Sequence, residues 1–254
     1  MAKRRTIPLI IVGGGIGGMA TALALARVGM RVHLLEQAPA FAEIGAGIQL
    51  APNASHALNR LGILRQISER AVFPKRILLV DALSGKTLTA ANLGGPFLDA
   101  FHYPYMVLHR NDLLVALLSA CQENALITLE THRHAVVVEN LGDGARVRCA
   151  DGTTYECDAL VGADGLRSIV RACAFGEHEP LCDGFVAFRG AIPAAEATEH
   201  GGLDTIRFWI GPNLHFIQYP LRRGELYNQV AVFKSDRYRP GFGADENWGT
   251  AEEL

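Results

Sequence analysis

The alternation of apolar and polar positions divides the start of this sequence into short strands around a helix. Leu9–Val12 is apolar throughout, which is typical of a central parallel strand covered on both faces. After a glycine-rich turn, Met19–Val28 is rich in Ala and Leu and predicts a helix that ends at Gly29. Arg31–Glu36 predicts a second strand that closes on an acid. Together these segments predict one βαβ unit.

The middle of the chain predicts short strands around a second helix. That helix is expected to run to Gln122 from a cap at Asn111 or Asp112. Ala159–Ala163 predicts a further buried strand, and a short helix follows from Ser168. The strands predicted to form a small antiparallel cluster are Ile127–Leu129, Ala135–Glu139, Ala145–Cys149 and Thr154–Cys157.

The pattern changes after Gly184 to longer strands separated by glycine-containing turns. We expect these strands to form a separate antiparallel sheet. They are Phe185–Ile192, Thr205–Ile210, His215–Leu221 and Leu226–Lys234. Within this region, Arg222 and Arg223 are predicted to form a solvated turn.

Composition and charge indicate which kinds of partner the protein binds. The 254 residues carry 24 Lys and Arg against 26 Asp and Glu, so charge does not favour a nucleic-acid or anionic-membrane partner. No segment reaches the uninterrupted apolar length of a membrane span. The five cysteines form no C-x-x-C pair, which argues against a zinc site and is typical of a reducing cytoplasm. We therefore expect a cytoplasmic protein that binds a small molecule and no metal, nucleic acid or membrane.

The strongest motif is Gly13-x-Gly15-x-x-Gly18, which lies between the first strand and the helix after it. Gly13 makes the tight turn, Gly15 lets the backbone approach a pyrophosphate, and Gly18 lets the helix pack closely. The helix N-terminus adds partial positive charge. Glu36, at the end of the next strand, would accept the hydroxyls of an adenosine ribose. This context predicts a bound dinucleotide, and the glycines alone do not distinguish NAD from FAD.

Two further segments, Gly45–Ala54 and Asp158–Arg171, resemble the flavin-dependent aromatic hydroxylases. This single-component monooxygenase family includes p-hydroxybenzoate, salicylate and 3-hydroxybenzoate hydroxylases. The resemblance implies FAD as the cofactor and NADH or NADPH as the co-substrate. Beyond the glycine motif and Glu36, the cofactor-binding residues that it implies are Gly47, Arg110, Val136, Asp164 and Gly165.

Three of these implied cofactor-binding residues also have a purely structural interpretation. The Asp164 carboxylate could simply cap the helix that follows it. Arg110, at a helix entry, could be a solvated cation. Val136 could be a core residue of the small sheet. The sequence leaves each of these alternatives open.

The segment Gly211–Asn228 looks most like the 3-hydroxybenzoate 6-hydroxylase subgroup. Strand alternation puts His215, Ile217 and Tyr219 on one face. In the subgroup, a His followed four residues later by a Tyr lines the aromatic-substrate pocket. The resemblance thus makes His215 and Tyr219 the predicted catalytic residues, with His215 taking or relaying the phenolic proton. A satisfied core histidine and an interface tyrosine are the alternative interpretation.

The resemblance implies an α/β protein with a Rossmann-like FAD-binding domain and part of an antiparallel-sheet substrate domain. The predicted boundaries are 1–183, with inserted strands at about 73–107 contributing to the substrate side, and 184–254. The complete enzyme would hydroxylate a 3-hydroxybenzoate- or salicylate-like phenolic acid with NAD(P)H and O2, and it could form a homodimer.

The family's second flavin segment, a Gly-Asp-Ala stretch, is missing from this sequence. We therefore expect a truncated chain that binds FAD poorly and does not hydroxylate. Two other functions stay open. An NAD-dependent dehydrogenase would leave Asp164-Gly165 unexplained, whereas a non-catalytic FAD- or nucleotide-binding fragment would account for every motif.

Overall fold

The computed structural model describes residues 7–42, 46–176, 180–197, 202–239 and 250. Contacts within the chain separate two compact units, and each unit contains two stretches of sequence. The first unit comprises residues 1–43 and 113–180, and the second comprises residues 44–112 and 181–254. The domain boundaries expected from the sequence stay a prediction.

The described residues form six α-helices and fourteen β-strands. The helices are α1 (Ile16–Arg27), α2 (Pro52–Arg60), α3 (Leu64–Ser68), α4 (Gly95–Phe101), α5 (Arg110–Gln122) and α6 (Ile169–Phe175). The strands are β1 (Ile7–Val12), β2 (Val32–Leu35), β3 (Gly47–Leu50), β4 (Arg76–Asp81), β5 (Thr87–Asn92), β6 (Met106–His109), β7 (Ile127–Glu130), β8 (Ala135–Asn140), β9 (Ala145–Cys149), β10 (Thr154–Gly162), β11 (Phe185–Pro193), β12 (Thr205–Gly211), β13 (Leu214–Leu221) and β14 (Leu226–Lys234). None of these helices is long and apolar enough to cross a membrane.

The first unit is built on a six-stranded mixed sheet with the strand order β7-β2-β1-β10-β9-β8. Strand β1 pairs in parallel with both β2 and β10, and α1 connects β1 to β2. Leu9–Val12 is buried along its length, as the sequence predicts for a central parallel strand. The predicted βαβ unit is therefore confirmed.

Three sequence predictions in this unit are wrong. Thr154–Cys157 and Ala159–Ala163 were expected to lie in separate strands, yet they share the single strand β10, which ends at Gly162. Its first half pairs with β9 in antiparallel and its second half pairs with β1 in parallel. Ala159 is also exposed rather than buried. Finally, β7 pairs in parallel with β2 and so does not belong to an antiparallel cluster. Periodicity along a segment does not specify its partners.

Helix α5 starts earlier than the sequence predicts. It begins at Arg110, so that Asn111 and Asp112 lie inside its first turn rather than at the cap. An acid in the first turn still favours the helix, because its charge opposes the positive end of the helix dipole.

The second unit is built on a six-stranded sheet with the order β11-β14-β13-β12-β4-β5. The four long strands predicted after Gly184 are confirmed, and they pair in antiparallel. The hairpin β4–β5 extends this sheet, because β4 pairs in parallel with β12. Strands β3 and β6 form a separate two-stranded sheet in the same unit.

Candidate functional site

A pocket of about 210 Å³ opens at the carboxyl ends of β1 and β2 in the first unit. Ligands of open parallel sheets characteristically bind at this edge. The residues of the pocket that the sequence analysis assigned to the cofactor are Gly13, Gly15, Glu36, Asp164 and Gly165. The structure thus brings together five of the predicted cofactor-binding residues.

Protein packing requires glycine at two positions of the turn. Gly13 has a φ of +107°, and a Cβ there would strike the carbonyl oxygen of Ala163. A Cβ on Gly18 would overlap the carbonyl oxygen of Gly13. Backbone bonds tie the turn to its neighbours, since the N–H of Gly13 donates to Leu35 O at 2.8 Å. The turn is therefore shaped by the protein itself.

The start of α1 fits a phosphate-bearing ligand. Its N-cap is Gly15, no side chain caps it, and its first turn contains no acid, so the helix end keeps its partial positive charge. A Cβ on the pocket residue Gly165 would meet nothing within 4 Å, which leaves open space in this part of the pocket wall. These features match the pyrophosphate group of a dinucleotide.

The Glu36 carboxylate is held by two backbone donors. Gly14 N–H donates to Oε2 at 2.7 Å, and Ala38 N–H donates to Oε1 at 2.8 Å. Each carboxylate oxygen can accept more than one hydrogen bond. Glu36 is thus fixed in place and retains the capacity to accept ribose hydroxyls.

Asp164 caps a helix and also lines the pocket. Its Oδ1 accepts from the Ser168 hydroxyl at 2.5 Å, and its Oδ2 accepts from the Ile169 N–H at 2.8 Å at the start of α6. The Asp164 carboxylate thus binds an N–H at the start of the following helix, as its structural interpretation predicts. Because Asp164 lies in the pocket wall as well, its cofactor-binding role stays a prediction.

Gly47 and Arg110, two other predicted cofactor residues, belong to the second unit. The Gly47 N–H donates to Asn228 Oδ1 at 2.9 Å, and a Cβ on Gly47 would strike the Tyr219 ring. The Arg110 N–H donates to Ala46 O at 2.9 Å. Gly47 is thus required for the close packing of Tyr219, and the cofactor roles of both residues stay predictions.

The two predicted catalytic residues lie on β13 in different surroundings. Tyr219 is only 3% exposed, and burial raises its pKa to about 12 despite the opposing charges of Arg189 and Arg110. His215 is half-buried. Four residues of extended strand separate their Cα atoms by about 13 Å. The two side chains share a face of the strand, and their roles stay predictions.

Part of the pocket wall was not predicted from the sequence. The polar lining residues without an assigned role are Gln37, Arg133, His134 and Arg167. The backbone N–H of Arg133 donates to Glu36 O at 2.8 Å. Arg133 and His134 are far from Glu36 in the sequence, and they come near it through the pairing of β7 with β2. Val136, another of the predicted cofactor-binding residues, is 42% exposed and follows the lining residue Ala135.

The turn predicted at Arg222 and Arg223 is present and Arg223 is exposed, but both side chains are also bonded to the protein. Arg222 donates to both carboxylate oxygens of Asp112, at 3.1 and 3.2 Å, and Asp112 is only 8% exposed. Arg223 Nε donates to Glu69 O at 2.6 Å. Both arginines are therefore tied to other elements of the second unit.

The comparison with protein families decides which dinucleotide this fold binds. A family described as FAD binding domain matches residues 6–183. The chain belongs to this FAD-binding family. FAD is therefore its cofactor, and the α1 turn and Glu36 offer the donors and acceptor that its ADP half requires.

Known relatives extend the similarity through the second unit. The 3-hydroxybenzoate 6-hydroxylase of Polaromonas naphthalenivorans (strain CJ2) is 38% identical over 246 residues, which cover 97% of this chain and 60% of that protein. The salicylate hydroxylase of Pseudomonas putida is 33% identical, over 97% of this chain and 59% of that protein. This chain thus spans about 60% of the length of these curated relatives.

Solved structures share the fold. Klebsiella pneumoniae HpxO complexed with FAD and uric acid matches with a TM-score of 0.78 at 23% identity, over 94% of this chain and 58% of the HpxO chain. A salicylate hydroxylase substrate complex matches with a TM-score of 0.75 at 23% identity, over 95% of this chain and 59% of its own. The predicted fold class, a Rossmann-like domain with an antiparallel-sheet domain, is confirmed.

Proposed function

We propose that this chain belongs to a flavin-dependent monooxygenase that hydroxylates a phenolic aromatic acid such as 3-hydroxybenzoate or salicylate. NADH or NADPH supplies the electrons, and O2 supplies the inserted oxygen atom. One observation carries the proposal. The match to the FAD-binding family ends at residue 183, whereas the likeness to 3-hydroxybenzoate 6-hydroxylase covers 97% of the chain and so includes β11–β14. An NAD-dependent dehydrogenase would be expected to share only the nucleotide-binding unit.

The sheet of the second unit supports an aromatic ligand. Ile217 lies between His215 and Tyr219 on β13, and the strand register places it opposite Phe208 and Val230. These three apolar side chains are only partly buried, and Ile217 stands between His215 and Tyr219 along the strand. Such a surface suits a flat ring with polar substituents.

His215 is proposed to hold the phenolic hydroxyl of the substrate. An imidazole accepts and releases a proton near neutral pH, and removing the phenolic proton raises the electron density of the ring. The Cα of Tyr219 lies about 13 Å farther along the strand, and its buried ring packs beside Gly47. FAD supplies the redox chemistry when bound. The protein orients the ring and holds its proton.

Flavin spectroscopy tests this proposal without requiring turnover. The protein is loaded with FAD, and 3-hydroxybenzoate or benzoate is titrated while the visible flavin spectrum is recorded. His215→Ala should weaken 3-hydroxybenzoate about 2- to 10-fold, the value of one hydrogen bond, and leave benzoate and FAD binding unchanged. His102→Ala is the matched control, because His102 is an exposed histidine at the end of α4.

Two outcomes would count against the proposal. A FAD-loaded protein that neither responds to phenolic acids nor loses its colour with NADH would instead be a non-catalytic flavin-binding protein. If His215→Ala weakened both ligands equally, the residue would serve packing rather than recognition of the hydroxyl.

A further inference from the structure

A network of side chains surrounds Glu130 at the end of β7. The carboxylate accepts from Arg133 Nε at 2.6 Å and from the Tyr155 hydroxyl at 2.8 Å, and His33 Nε2 lies 2.6 Å from it. Burial of Glu130 opposes its ionisation, but these partners outweigh burial and keep its pKa below the usual value. The carboxylate is therefore a stable anchor for Arg133.

A second carboxylate holds the same guanidinium. Arg133 Nη1 donates to Asp151 Oδ2 at 2.8 Å. Only 29% of the Arg133 side chain is exposed, and its bond to Glu130 raises its pKa further. A free arginine side chain loses rotamer freedom when it binds a ligand, and this loss weakens binding. The two carboxylates order the guanidinium before any ligand arrives.

Arg133 also lies in the wall of the dinucleotide pocket. Its N–H bonds to the carbonyl of Glu36, and the carboxylate of Glu36 bonds to Gly14 in the phosphate-binding turn. The pocket wall therefore runs from the glycine turn past Glu36 to Arg133. In the ADP half of a dinucleotide, the groups follow one another as pyrophosphate, ribose and adenine. A ribose at Glu36 therefore puts the adenine on the Arg133 side.

We propose that Arg133 binds the adenine end of FAD and that Glu130 and Asp151 are the residues that position it. A planar guanidinium stacks on aromatic rings, and an adenine offers such a face. This inference rests on the assignment of FAD to the pocket and adds a residue that the glycine motif does not contain.

The first-unit sheet offers a matched control. Arg146 on β9 is also held by two carboxylates, Glu139 at 2.8 Å and Glu156 at 2.7 Å. It is not among the residues that line the pocket. Arg146→Met therefore removes a comparable pair of salt bridges without touching the proposed adenine contact.

The test measures binding of FAD by fluorescence quenching and of ADP by calorimetry. Arg133→Met should raise the Kd of both ligands at least tenfold, because ADP contains the whole adenosine end. Arg133→Lys should recover little, since an ammonium group cannot stack as a planar fork. Arg146→Met should keep both Kd values within twofold of wild type.

The positioning role is tested by a double-mutant cycle. Glu130→Gln should weaken ADP binding in the wild-type background and have no further effect once Arg133 is Met. A merely structural Glu130 would weaken binding equally in both backgrounds.

The outcomes separate this inference from the assignment of the pocket. Wild-type protein that fails to bind ADP would overturn the dinucleotide pocket itself and this inference with it. Wild-type protein that binds ADP while Arg133→Met binds it equally well would overturn only the role of Arg133. Equal losses in Arg133→Met and Arg146→Met would show a general electrostatic effect and would also overturn it.

Discussion

Gly17 and Gly18 are adjacent glycines of α1 with opposite surroundings. A Cβ on Gly17 would meet nothing within 4 Å, whereas a Cβ on Gly18 would overlap the carbonyl oxygen of Gly13, a backbone atom that cannot rotate away. Gly17 is exposed and Gly18 is buried. Substitution by alanine should therefore stabilise the protein at Gly17 and destabilise it at Gly18.

The change in the free energy of unfolding has two contributions. Alanine gains up to about 1 kcal/mol over glycine in a helix, and both variants share this gain. Only Gly18→Ala also forces an atom into a packed turn, which costs about 1–3 kcal/mol. The difference between the two variants thus isolates the collision. At about 2–4 °C per kcal/mol for a chain of this size, the Tm values should differ by about 2–12 °C.

Thermal unfolding of the apo-protein by circular dichroism and titration with FAD provide the measurements. Gly18→Ala should also bind FAD more weakly, because Gly13 must move in the turn that faces the phosphates. Gly17→Ala should bind FAD as wild type does. If Gly18→Ala unfolded at or above the Tm of Gly17→Ala and kept its FAD affinity, the packing argument for this motif would fail.

Three further predictions concern single carboxylates and one close contact. Glu36→Ala removes the acceptor of two backbone N–H groups and should lower the free energy of unfolding in urea by about 1–3 kcal/mol. The stability that Glu130 adds over Glu130→Gln should be complete at about pH 7 and be lost as the pH falls through the lowered folded-state pKa of Glu130, because a carboxylate with a lowered pKa stabilises only while ionised. Urea unfolding across this range measures it, and an unchanged difference at low pH would contradict it. Gly47→Ala should cost about 1–3 kcal/mol through collision with the Tyr219 ring, and less in a Tyr219→Leu background; equal costs in urea unfolding would refute the contact.

The sequence by itself determined the features that arise from neighbouring residues. The apolar run of β1, the glycines of the following turn and the acid after β2 lie within one continuous segment, so their spacing alone predicts the βαβ unit and its dinucleotide. The strands β11 to β14 were predictable for the same reason. Each has its own alternation and its own turn, and consecutive strands usually lie close together.

Only the tertiary structure decided which distant segments meet. Strand β10 pairs with β9 along one half and with β1 along the other, a double role that its periodicity does not encode. Arg133 reaches the pocket because β7 pairs beside β2, and Asp112 accepts from Arg222 because the fold of the second unit brings Asp112 to the turn after β13. Hydrophobic periodicity reports which side of a segment is buried, whereas the choice of partner depends on packing throughout the folded chain.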